Sequence, residues 1–134
     1  YQCSPLHLAV EHNFFEVAEL LLAKNQHKDL INRKDSDGKT PLYWAIFYKS
    51  FDMVNLLLKN GANYNEFISG ENRTILEMFF EKESVVEWVN IFLANVKDID
   101  NKYGSNQDTL LHLAAGRGDV KLIQALLEKK ACIE

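Results

Sequence analysis

Apolar residues in this chain come in short blocks that return at a nearly fixed spacing. Three of the longer blocks each predict a helix with one apolar side: Phe15-Glu16-Val17-Ala18-Glu19-Leu20-Leu21-Leu22, Phe51-Asp52-Met53-Val54-Asn55-Leu56-Leu57-Leu58 and Val120-Lys121-Leu122-Ile123-Gln124-Ala125-Leu126-Leu127. A shorter phrase, which predicts a first helix, precedes each of them and occurs a fourth time, at Thr74. It reads Ser4-Pro5-Leu6-His7-Leu8-Ala9, Thr40-Pro41-Leu42-Tyr43-Trp44-Ala45, Thr74-Ile75-Leu76-Glu77-Met78-Phe79 and Thr109-Leu110-Leu111-His112-Leu113-Ala114. The opening hydroxyl residues stand at 4, 40, 74 and 109, so the period is 34 to 36 residues. Self-similarity at that period predicts an array of stacked helix-turn-helix units, not one closed core. The units run approximately 1–34, 35–68, 69–103 and 104–134, and together they make one domain.

Local chemistry agrees with the periodicity. Ser4 before Pro5 and Thr40 before Pro41 each put a hydroxyl cap ahead of a proline in the first helical turn. Gly61, after Lys59-Asn60, stands where a left-handed helix end is wanted. Asp37-Gly38 marks a tight turn between units. These phrases, with Lys59-Asn60-Gly61-Ala62-Asn63 closing the second unit, resemble the ankyrin repeat, whose signature is T-P-L-H-x-A. The resemblance covers essentially the whole chain.

The resemblance implies an all-α solenoid whose units are joined by hairpin-like turns, and a function in protein–protein binding. It implies that His7 and His112 tie neighbouring turns together, in preference to a metal or catalytic role. It also places the partner in a concave groove lined by turn tips and first helices. Carried over by position, the turn contacts are Ser36, Asp37 and Lys39, then Glu71 and Arg73, then Asn106 and Asp108. The helix-tip contacts are Glu11 and His12, Phe47 and Tyr48, Glu81 and Lys82, and Arg117. Phe47 and Tyr48 are the unusual pair, because an interior unit ordinarily ends that helix in polar residues. They read as interface anchors, with packing against Phe79 or Phe80 as the competing account. Trp44 replaces a leucine and is expected to pack inside.

The third unit departs from the pattern. Ile75, Glu77 and the pair Phe79-Phe80 replace the proline, the histidine and the small residues of the other phrases. That reads as a drifted, repacked unit in preference to a specialised site. The first unit also needs three extra residues around Gln26 to Asp29, and insertions of this kind map to loops, often on the binding side.

Composition adds limits. The 134 residues are 47% hydrophobic and 25% charged, which suits one globular domain. The net charge is −4, and residues 70–108 carry eight acidic against four basic side chains. Such a surface repels phosphate, so nucleic acid is not expected, and a basic protein surface suits it better. No apolar run reaches the roughly 18 residues of a membrane span, so no direct membrane insertion is expected. Cys3 and Cys132 fall in the first and last units, too far apart for a disulfide, which predicts a reducing, cytoplasmic or other intracellular setting. A secreted effector acting in a host cytosol would look the same. There is no glycine-rich phosphate loop, no His-Glu-x-x-His helix and no nucleophile motif. Hence no enzyme activity, no cofactor and no metal are expected, and the state expected in solution is a monomer. The terminal helix 120–127 keeps an interior pattern, so the chain reads as a piece of a longer protein. The alternatives to a binding module are a mechanical spacer in a large scaffold or membrane protein, and a substrate-recruiting domain of a fused enzyme or host-directed effector.

Overall fold

The computed structural model describes residues 3–64, 68–71, 74, 75, 78, 91, 95, 102, 103, 108–118 and 120–128. Helix α1 (Pro5–Glu11) begins at the hydroxyl phrase because Ser4 closes it. The Ser4 hydroxyl oxygen accepts the His7 N–H at 3.3 Å, and the Ser4 N–H donates back to His7 Nδ1 at 3.3 Å. Two donors that a helix start leaves over are thereby satisfied, and Pro5 brings none. Thr40 caps α3 (Pro41–Phe47) in the same way, accepting the Tyr43 N–H at 3.3 Å. The second helices are α2 (Phe15–Ala23) and α4 (Phe51–Lys59); the fourth unit supplies α5 (Leu110–Arg117) and α6 (Val120–Glu128).

Each described turn between a first and a second helix uses one left-handed residue: Asn13, Lys49 and Gly118, at φ 55°, 56° and 65°. Gly61 lies just past α4 at φ 87°, the left-handed helix end the sequence predicts. The architecture is all-α. Among the described residues, strand structure is confined to an antiparallel pair of two-residue strands, β1 (Lys102–Tyr103) and β2 (Asp108–Thr109). This pair is the hairpin-like connection into the fourth unit.

Units stack side by side, α1 on α3 and α2 on α4, with α1 packed on α2 and α3 on α4 within each unit. Leu6, Val10, Leu42, Ile46, Met53 and Leu57 are sealed between them. Ala9, Ala45 and Ala114 hold one register position and are all buried, so small side chains mark where first helices meet their neighbours. Val17 and Met53 also share a register position, yet Val17 is 45% exposed and Met53 is 0% exposed. Met53 lies on α4, which has α2 of the preceding unit beside it. Burial here depends on the neighbouring unit, the mark of a one-dimensional array.

The extra residues of the first unit do not form a binding-side loop. They lie in a 3₁₀ segment, Asn25–Asn32, that follows α2 and packs on α2 and α3, with Leu30 and Ile31 buried. In the third unit Thr74, Ile75 and Met78 are buried. Asn95 Nδ2 donates to Asn55 Oδ1 at 3.0 Å and so ties that unit to α4. The expectations placed on Glu77, Phe79, Phe80 and Cys132 lie outside the described residues.

Candidate functional site

The turn between the first two units is built around one carboxylate. Asp35 Oδ1 accepts the backbone N–H groups of Asp37 and Lys39, each at 2.9 Å. Asp35 Oδ2 accepts the indole N–H of Trp44 at 2.7 Å. The Asp35 N–H donates to the Lys39 carbonyl at 2.9 Å, and the Gly38 N–H donates to the Asp35 carbonyl at 3.0 Å. Partial burial pushes the Asp35 pKa up. The N–H of Lys39, the indole, the N–H of Asp37 and attraction to His7 outweigh that effect and hold it below the ordinary value of 3.8. The turn therefore carries a fixed negative charge that also aims Trp44.

His7 joins this turn to α1. Its Nε2 donates to the Lys39 carbonyl at 2.9 Å, and its Nδ1 accepts from the Ser4 hydroxyl at 2.7 Å. A carbonyl can only accept, so the network assigns the proton to Nε2. His7 is 3% exposed and both of its ring nitrogens are engaged, which is the structural role the sequence predicts. His112, in the matching place, is exposed.

Lys39 extends the connection to the next turn. Its ammonium donates to the Ser69 carbonyl at 2.8 Å, meets Glu71 Oε1 at 3.4 Å and lies 4.7 Å from the centroid of the Tyr43 ring. This lysine and Glu71, both predicted as partner contacts, are engaged with each other and with the adjacent turns.

Trp44 is only half-buried, packed against the core on one side and lining the cleft on the other; Leu8, at the same fifth position of the phrase, is 48% exposed. Trp44 anchors a cluster of four rings. It stacks with Tyr48 at 6.0 Å and 26°, and meets Tyr43 and Phe47 edge-on at 5.1 and 5.5 Å. Phe47 and Tyr48 touch at 5.4 Å, and they remain 49% and 46% exposed.

Between this cluster and the turn opens a cleft of about 380 Å³, lined by Cys3, His7, Glu11, Asp35, Ser36, Asp37, Trp44 and Tyr48. Four predicted contacts, Glu11, Ser36, Asp37 and Tyr48, thus come together at one place. Phe47 stands beside them, while His12 stacks on Phe14 at 5.5 Å. Arg73, Glu81, Lys82 and Asn106 lie outside the described residues, and Asp108 and Arg117 are described in their backbone alone. Sequence reasoning missed Asp35 and the position of Trp44. An Asp two residues before Asp37-Gly38 is the usual start of a side-chain-braced turn, and that signal was available.

Among the described residues no group of three or more His, Cys, Asp or Glu side chains could hold a metal. No described helix is long and apolar enough to cross a membrane.

The sequence is matched by family models: one described as ankyrin repeats in three copies fits residues 1–68, and one for the single ankyrin repeat fits 106–134. The chain belongs to the ankyrin-repeat family. Curated relatives are diverse ankyrin-repeat matches. Over 96% of this chain it is 29% identical to the "Probable 26S proteasome regulatory subunit p28" of Saccharomyces cerevisiae. It is 28% identical over 92% to the nuclear factor NF-kappa-B p105 subunit of Gallus gallus, and 30% identical over 98% to inversin of Canis lupus familiaris. The chain spans 57% of the yeast protein and 12% of each of the other two. Ankyrin repeats generally mediate contacts between proteins.

Proposed function

We propose that this ankyrin array is a protein-interaction module that binds its partner along the groove of turn tips and first helices, with Phe47 and Tyr48 as apolar anchors and no chemistry of its own. The observation that carries the reading is the pair of half-exposed rings at the end of α3, beside a cleft that also gathers Glu11, Ser36 and Asp37. Large aromatic side chains held in a cluster but still open to solvent offer contact area at little ordering cost. The hydrogen-bonded turn is already in place, so little has to be ordered when a partner arrives.

Affinity capture from cell lysate, comparing the unaltered chain with Phe47→Ala/Tyr48→Ala, tests this. A protein retained by the former and lost by the variant, with the variant's thermal transition intact, is the expected result. Equal retention by both forms would rule the two rings out as anchors.

A further inference from the structure

The cleft between the first two units has a composition of its own. Its lining includes the stacked rings of Trp44 and Tyr48 together with two acidic residues, Glu11 and Asp37. Two of the other polar side chains there are already used. Asp35 accepts three hydrogen bonds, and both ring nitrogens of His7 are taken. Lys39, the nearest described ammonium on the turn, is turned away to Ser69 and Glu71. Among the described residues no cation meets the Glu11 or Asp37 carboxylate. The lining also offers the partly exposed rings of Trp44 and Tyr48, the Ser36 side chain and the two carboxylates, on a chain of net charge −4.

Charge complementarity selects the occupant. An anion is repelled. A lysine ammonium is compact and strongly hydrated, so it makes little use of a flat ring face. A guanidinium is planar, stacks on aromatic rings, and presents a donor fork that fits a carboxylate side-on. We infer that this cleft receives an arginine side chain of the protein partner, its guanidinium stacked on the Trp44–Tyr48 wall and paired with Glu11 and Asp37. The inference rests on the binding-module reading above and adds the chemistry of the residue recognised. Asp35 serves as a positioning residue: it fixes the indole plane through the Nε1–H bond without touching the guest.

The test is an NMR titration of the isotope-labelled 134-residue chain with acetyl-Gly-Arg-Gly-amide, read at the Trp44 indole N–H and at the amides of Ser36 and Asp37. Matched peptides carry lysine or citrulline in place of arginine. The expected result is saturable movement of those resonances with the arginine peptide. Binding should weaken about tenfold on replacing arginine by uncharged citrulline, and by a similar factor in Glu11→Gln/Asp37→Asn with its thermal transition intact. No movement with the arginine peptide, or equal binding of the citrulline or lysine peptide, overturns the inference. The capture experiment shares Tyr48 with this pocket, but it reads retention of a whole partner and not recognition of one arginine. If it succeeds while the arginine peptide fails, the module stands and only its arginine pocket is lost.

Discussion

His7 donates from Nε2 to the Lys39 carbonyl over 2.9 Å, joining residues 32 positions apart. The same imidazole closes the capping box with Ser4, so a single side chain both starts a helix and secures the next unit's turn. Replacing it by alanine removes the acceptor of the buried Ser4 hydroxyl and one of the two donors at the Lys39 carbonyl, leaving the Asp35 N–H there. His7→Ala is expected to cost about 2–3 kcal/mol in urea unfolding, against about 1 kcal/mol for Ser4→Ala. The double variant should cost less than the sum, since the two share bonds. A His7→Ala cost within about 0.5 kcal/mol, typical of a surface change, would show that the network contributes nothing.

Asp35 makes stability depend on pH in a definite direction. Its pKa in the folded chain lies below the ordinary 3.8, despite the burial that opposes this, because the N–H of Lys39, the Trp44 indole, the N–H of Asp37 and His7 favour the charged form. A depressed folded-state pKa contributes stability that is present above the unfolded value and lost as pH falls through the folded one. The melting temperature should therefore drop as pH is lowered from about 5 to about 3, and Asp35→Asn should drop less over the same window. Parallel melting curves for the two forms would remove Asp35 from the account.

Two turn glycines separate strain from crowding. Gly38 and Gly70 adopt φ 75° and 78°, but a Cβ on Gly38 would collide with the Ser69 side chain, whereas one on Gly70 meets nothing within 4 Å. Gly70→Ala should cost about 1 kcal/mol from the left-handed backbone alone. Gly38→Ala should cost roughly 2–4 kcal/mol, since the collision adds to it. Ser69→Gly should restore part of the Gly38→Ala loss in thermal unfolding and leave Gly70→Ala unchanged. Equal costs for the two alanines would mean that the Gly38 turn simply shifts away from Ser69.

Lys49 offers a gain. It is exposed, it sits at φ 56°, and the fourth unit has Gly118 at the corresponding turn. A β-carbon in that conformation is strained, so Lys49→Gly should raise stability by about 0.5 kcal/mol even after the extra freedom of the unfolded chain is counted. A lower denaturation midpoint for the variant would show that the lysine stem packs well enough to offset the strain.

Much of the fold could be read from residue types that leave little choice. Hydroxyl-proline pairs mark the starts of α1 and α3, and Gly61 and Gly38 mark backbone that other residues avoid. The 3₁₀ segment at Asn25–Asn32 could not be read this way, because Leu30 and Ile31 are adjacent and carry no amphipathic period. The candidate site was legible at Glu11, Ser36, Asp37, Phe47 and Tyr48, whose exposure follows from their place in the repeat. Trp44 is less buried than its apolar type suggested, because the fifth position of this phrase borders the cleft as well as the core. The Lys39 bond to Ser69 was not legible, because the partner lies 30 residues away in sequence and no local pattern announces a contact made by stacking.

The locked side chains of the turn also decide where this scaffold can be rewritten. Asp35, His7 and Lys39 hold the units in register, so exchanging any of them alters the frame along with the message. Glu11, Ser36, Asp37, Phe47 and Tyr48 stand at the rim with the frame complete beneath them. A library randomised at those five positions alone should yield folded members with new targets, because the alphabet of recognition and the grammar of stacking are carried by different residues.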